Sequence, residues 1–271
     1  MQLVLFICIL LYMFSAAAYS VYLVIQREKI QRIGCVLLAA GFAGQTAAIV
    51  WRFIQTGRMP VNNLHETLLI VAWSIVAVFL VLRFQFKLKI LGVYAAPLAT
   101  FVLLAATQFP AEPLQPLSVL RGFWLVVHII TIFMGDASFV LAAGVGALYL
   151  IQERTIKTKT RGFFFKRLPS LELLDSTGYA CIVSGFTMLT IGLVSGMVYA
   201  KAIWGQFWSW DPKEVWSAVT WIFYAILLHE RLAVGWRERR TTIMALAGLV
   251  VLLFTFFGVN FLLKGHHGQF M

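Results

Sequence analysis

The residues with chemistry to offer are five histidines, His65, His128, His229, His266 and His267, and one run of tryptophans. The stretch "WGQFWSWDPKEVW", residues 204–216, sets four tryptophans and a phenylalanine into thirteen positions, and Trp221 follows. Flat aromatic faces suit a planar ligand, held by stacking and dispersion with indole N–H groups facing its polar edges. Both features also have plainer readings. An intramembrane histidine often only bonds a neighbouring helix. Tryptophans gather at membrane interfaces, about one or two to a helix end. Trp204, Phe207, Trp208, Trp210, Trp216 and Trp221 come from one loop and the helix after it, a density that such a belt does not explain.

The elements that must position these residues are membrane helices. Of the 271 residues 61% are hydrophobic and only 12% charged, and apolar runs of transmembrane length recur. Strand-like alternation is absent, so the expected fold is an all-α polytopic membrane protein, a single integral domain over 1–271 in the lipid bilayer. The net charge of +11 does not imply nucleic acid, because Lys and Arg fall in short clusters between apolar runs. Cys8, Cys35 and Cys181 form no C-x-x-C pair, which argues against thiol redox chemistry and cysteine-held metal, and the lack of C-x-x-C-H argues against a c-type cytochrome in this chain. "MQLVLFICILLYMFSAAAYSVYLVI" lacks a basic region ahead of its apolar run, and the run is too long for a cleaved signal, so it reads as the first helix.

Eight spans are expected, near 2–25, 31–54, 65–83, 88–108, 119–151, 177–200, 212–230 and 241–263. Sixteen of the 22 Lys and Arg residues lie in the connections after spans one, three, five and seven. Those connections are therefore expected in the cytoplasm, with both termini and the tryptophan-rich segment 201–216 outside.

Within that frame "DPKE" reads as a helix start: Asp211 as N-cap, Pro212 at the first helical position and Glu214 closing a capping box, with Trp210 and Val215 as a hydrophobic staple. Asp211 and Glu214 need do no more than that. His128 is expected roughly ten to fifteen ångströms below the outer end of helix five. His266 and His267 follow helix eight on the same side, so one of them can face His128 across the tryptophans, as a bis-imidazole site for porphyrin iron requires. His229 lies seventeen residues beyond Pro212, about 25 Å further along helix seven. It cannot share that iron and implies an inner site whose second ligand is non-histidine or belongs to another protein. His65, in "NNLHETL", reads as a capping or interfacial residue. Asp136, in "MGDASFV", is an acid at membrane depth that can bond a neighbouring helix or a propionate-binding group.

"WGQFWSWDP" resembles the WGxxWxWD signature of haem-handling "WWD" proteins. The likeness covers about residues 40 to 271 and includes "PVNNLHETLLIVAW", "LPSLELLDSTGYACIVSGFTMLTIGLVSG", "TWIFYAILLHERLAVGW" and "FFGVNFLLKGHHG". The whole is similar to the CcsA/ResC cytochrome c biogenesis proteins of system II. That resemblance implies haem b as the bound substrate, crossing from the cytoplasmic side and presented outside between His128 and His267, with His266 as the alternative. Trp204, Trp208, Trp210, Asp211, Trp216 and Trp221 would form the haem platform. His229 would serve the inner haem site, its counterpart supplied by a CcsB/ResB-like membrane protein. Gln45 stands where many relatives have histidine and receives no ligand role.

The implied reaction is thioether formation between haem vinyl groups and the cysteines of a C-x-x-C-H segment in apocytochrome c. It needs ferrous haem and reduced thiols, which adds a thioredoxin-like thiol reductant to the partners. No side chain here resembles a general base or nucleophile, so catalysis would be positioning and control of iron by one subunit of a holocytochrome c synthase. The expected location is a bacterial inner membrane ahead of a plastid thylakoid. Rival readings are a HemX-like haem-binding regulator, a CcmC-like haem delivery protein, against which eight spans count, and a transporter of another substrate, against which the lack of internal repeats counts.

Overall fold

The computed structural model describes residues 2–110, 122–159, 162, 163, 165, 167–235 and 238–258. Every regular element among them is helical: α1 Gln2–Ile25, α2 Glu28–Thr56, α3 Leu64–Phe86, a 3-10 turn Lys89–Leu91 leading into α4 Gly92–Ala106, α5 Phe123–Lys157, α6 Leu171–Trp204, α7 Pro212–Ala233, α8 Arg239–Leu253, and a π turn Phe254–Gly258 continuing α8. Seven of the segments are long and apolar enough to cross a membrane; α7 is the exception, its apolar middle diluted by Lys213, Glu214 and the run His229-Glu230-Arg231.

Two helix ends differ most from the sequence expectation. α6 begins at Leu171, not 177, because Ser170 accepts a bond from the Leu173 N–H and starts the helix ahead of the apolar run. α5 continues to Lys157 as a charged extension carrying the Lys157–Glu153 pair. Apolar run length marks the lipid-facing stretch, and helices outlast it. The end expected for the eighth span, near 263, lies outside the described residues.

The chain forms two compact units, one built on α1–α4 and one on α5–α8. In the first, tyrosine knobs of α1 fill holes left by glycines: an added Cβ at Gly41 would stand 2.6 Å from the Tyr12 ring, and one at Gly92 of α4 would meet Tyr19. Gln45 joins three helices, accepting from the Tyr12 hydroxyl at 2.7 Å and donating to the Leu69 carbonyl at 2.9 Å. Its amide is thus committed to structure. Gln45→Leu strands a fully buried hydroxyl, with an expected loss of about 1–3 kcal/mol, visible as a lower melting temperature in detergent. An unchanged melting temperature would show that the Tyr12 hydroxyl finds another partner.

At the start of α3, Asn63 rather than His65 is the cap, accepting from the Glu66 N–H at 2.8 Å. Buried Glu66 takes Arg52 on one oxygen and the Asn62 N–H on the other. His65 donates through Nδ1 to the Ala106 carbonyl at 2.8 Å and so ties α3 to the end of α4.

Candidate functional site

The second unit carries His128, His229, Asp136 and the tryptophans. Its frame is the antiparallel pair α5 and α6, which approach closely because glycines line the seam. A Cβ at Gly135 would stand 3.1 Å from the Gly185 carbonyl oxygen; one at Gly185 would strike the Phe139 ring; one at Gly192 would strike Ile132.

His128 is seated at the first-turn end of that seam. It lies five residues into α5, about 8 Å from the helix start, shallower than expected because the helix begins at Phe123. Gly196 leaves the room its ring occupies, since a Cβ there would stand 2.6 Å from Nδ1. Nδ1 lies 2.7 Å from the Gly192 carbonyl oxygen. A carbonyl only accepts, so the proton is on Nδ1 and the lone pair of the neutral ring is on Nε2. A backbone carbonyl that fixes tautomer and ring plane is the arrangement that prepares an imidazole for a metal.

The tryptophan segment follows α6. Gly205 ends that helix at φ 76° with its N–H on the Lys201 carbonyl. Asp211 then caps α7, accepting from the Lys213 N–H at 2.9 Å, with Pro212 in the first turn. The capping box differs from expectation: Glu214 reaches past the cap to the Ser209 N–H at 2.8 Å and so closes the loop as well as the helix start. The staple is not formed. Trp210 sits at φ 59°, a left-handed conformation costing a bulky residue about 1–3 kcal/mol, and its ring is 78% exposed. The turn throws the indole outward, edge to face with Trp208 at 5.9 Å.

Trp204 and Phe207 are also exposed, and the Lys201 ammonium stands 5.4 Å from the Phe207 ring centre. The Trp208 N–H is buried with no partner among the described residues, a donor left open within a cluster of aromatic faces. Trp216 and Trp221 pack into the unit. Trp216 tilts onto Phe254 at 4.4 Å, and Trp221 stacks on Phe186 while donating to Thr190 Oγ1 at 2.8 Å. The π turn after α8 supports this floor, with Thr255 bonded to Thr220 at 2.9 Å and to the Val251 carbonyl.

His229 lies apart, exposed in the penultimate turn of α7 on the same stripe as exposed Ile222 and Ile226. Arg231 points the other way, into α6, where it holds Asp175 through two bonds of 2.8 and 2.7 Å beneath the Tyr179 ring. Sequence reading, which counted Arg231 as a loop charge, missed this fastening. His266 and His267 lie outside the described residues. Among the described residues no three His, Cys, Asp or Glu side chains converge as a metal cluster would. The described candidate donors are thus single imidazoles, His128 in the unit that also carries the tryptophan segment.

Fold and site together define a helical membrane protein with a backbone-anchored imidazole and an aromatic loop on one four-helix unit. The chain belongs to the cytochrome c assembly protein family, which it matches over residues 61–267, and within it to the CcsA cytochrome c biogenesis proteins. It is 35% identical to cytochrome c biogenesis protein CcsA of Synechococcus sp. (strain CC9902) over 252 residues, covering 82% of this chain and 81% of that one. The CcsA of Guillardia theta is 32% identical over 237 residues, covering 80% and 78%. Among solved structures the chain resembles cytochrome c heme lyase CcmF, with a TM-score of 0.66 at 14% identity, over 94% of this chain and 46% of that one. That likeness is one of fold.

Proposed function

We propose that this protein binds haem b and presents it at the outer membrane face for attachment to apocytochrome c, together with a CcsB/ResB-like membrane partner. The observation that carries the reading is His128, its Nδ1 proton fixed on Gly192 and its lone-pair nitrogen determined, in the same unit as a loop of exposed tryptophans. His267, or His266, completes the outer pair. Trp204, Trp208 and Trp210 supply faces and an open N–H, while Trp216, Trp221 and Asp211 hold the floor and the loop. All eight long helices cross the bilayer, with both termini outside and His229 at the inner side. There its exposed face meets the partner, which brings the second ligand. The membrane is a bacterial inner membrane, with the plastid thylakoid as the other setting.

The bound iron porphyrin supplies the vinyl groups to which the substrate thiols add, each thiol giving its sulfur to one vinyl carbon and its hydrogen to the other. Reduced thiols come from a thioredoxin-like partner. The chain's own residues would hold and orient the group: His128 would bind the iron through Nε2, the tryptophans would pack against the porphyrin, and the left-handed turn at Trp210 keeps an indole outside. An aromatic loop in the same unit as an anchored imidazole supports delivery over the HemX-like regulatory reading.

The test is the reduced-minus-oxidised visible spectrum of the purified protein, alone and with its partner, in wild type, His128→Ala, His267→Ala and His229→Ala. Wild type is expected to show a bis-histidine haem. His128→Ala and His267→Ala should each remove the outer fraction, partly restored by imidazole, and His229→Ala the inner one. Haem absent from every preparation would return the tryptophans to an interfacial belt.

A further inference from the structure

Asp136 and Tyr224 form a polar island at mid-depth of the second unit, and neither contributes to the site described above. Phe139 stacks face to face on Tyr224, centroids 3.5 Å apart and planes 8° from parallel, which sets those two residues of α5 and α7 at one level. Asp136 is three residues before Phe139 and so on the same face of α5, at the level of Tyr224. The Tyr224 hydroxyl is fully buried against Gly248 of α8 and has no hydrogen-bond partner among the described residues. Asp136 takes part in none of the ion pairs among them. Nearby polar groups of the same helices are paired: Trp221 with Thr190, and Thr220 with Thr255. The island is left open where its surroundings are closed.

Its depth is telling. α5 and α7 both run antiparallel to α6: His128 meets Gly192 and Gly135 meets Gly185, while Trp221 meets Thr190 and Arg231 meets Asp175. Eight residues separate His128 from Asp136 on α5, about 12 Å. Three residues from Asp136 to Phe139 and five from Tyr224 to His229 make about 12 Å more. The acid stands midway between the two histidines.

We infer that Asp136 and Tyr224 are a transit site for a porphyrin carboxyl group, a waypoint for a haem propionate between the inner and outer ligands. The inference rests on the proposed function for its cargo. A carboxyl and a phenol together offer a donor and acceptors to a carboxylic acid, and two carboxyls sharing one proton bind without a cation. A Lys or Arg at that depth would hold the anion as a full ion pair and release it slowly. An ionisable residue inside a membrane bundle is costly and marks a substrate path in other membrane proteins.

Two measurements test it in the full chain purified with its partner. In the first, pyridine haemochrome assays divide bound haem into the fraction lost in His128→Ala and that lost in His229→Ala. Asp136→Leu should lower the outer fraction about tenfold, the worth of one buried hydrogen bond to a charged group, and leave the inner fraction unchanged. Asp136→Asn and Tyr224→Phe should fall between. In the second, iron-free protoporphyrin IX and its dimethyl ester are titrated into the His128→Ala/His229→Ala protein, followed by fluorescence. The free acid should bind about tenfold more tightly than the ester, and Asp136→Asn, which preserves size and should fold, should erase the difference. Equal binding of the two porphyrins, or a preference for the acid that survives Asp136→Asn, overturns the transit site. So does normal outer loading in Asp136→Leu. If wild type carries no histidine-dependent haem, the proposed function falls, and the porphyrin pair still decides for or against the carboxyl site.

Discussion

Arg231→Ala is expected to destabilise the α5–α8 unit by about 3–5 kcal/mol, the usual cost of removing one partner from a buried ion pair. The pair is well enclosed, the Arg231 side chain 10% and the Asp175 side chain 18% exposed. Its geometry is fork to fork, with Nη1 donating to Oδ1 and Nη2 to Oδ2. Asp175 also accepts the Glu238 N–H at 3.1 Å, so one carboxylate fastens α6, the end of α7 and the start of α8. Without Arg231 the half-buried carboxylate loses its guanidinium counter-charge, which is worse than having no pair at all. The Asp175→Ala/Arg231→Ala double variant should therefore melt above Arg231→Ala alone, as thermal unfolding in detergent would show. The same fastening sets the rotation of α7. Arg231 turned into α6 places His229, two residues earlier, on the outer stripe. Loss of the pair should thus weaken inner haem loading as well as stability. Equal melting of Arg231→Ala and wild type would sink both statements.

The way Arg231 escaped sequence reading shows which features of the fold are legible in one chain. Hydropathy finds lipid-facing helices because each must satisfy its own backbone, and it located the cores of α1 through α6. It treats every cation near a span end as a loop charge, so a guanidinium folded back into a helix cannot be distinguished from one in water. It also stops where lipid stops, which is why Ser170 and the first turns of α6 went unread. Local chemistry was clearer: "DP" forecast the Asp211 cap because that bond spans two residues. The box partner was missed because Glu214 answers to Ser209, and that depends on the left-handed turn at Trp210, which no propensity of tryptophan announces. His128 was legible as a candidate. Its proton position was not, since that is fixed by a carbonyl 64 residues away.

That long-range anchor yields the second large effect. Gly196→Ala should lower His128-dependent haem binding by about 10–100-fold, the range for disturbing a bond that orients a metal-binding imidazole. The added Cβ would stand 2.6 Å from Nδ1 and 2.8 Å from Cε1, too close for the ring to stay. A retreat of α6 would open the close backbone packing of Gly135 on Gly185 along the same seam. The ring therefore moves, and the 2.7 Å bond to Gly192 is lost with it. Without that bond the proton is free to reside on Nε2, where it blocks the lone pair an iron would need. Gly192→Ala is the matched control. Its Cβ would meet Cδ1 and Cγ1 of Ile132 and Thr131 Oγ1 rather than the imidazole, so the ring itself is not struck. Both changes overpack the seam by about 1–3 kcal/mol, so a shared loss of stability cannot explain a loss of haem confined to one of them. Haem titrations followed at the Soret band, with the His229→Ala background isolating the outer site, separate the outcomes. A Gly196→Ala protein that binds as wild type does would mean that the outer ligand needs no anchoring from α6.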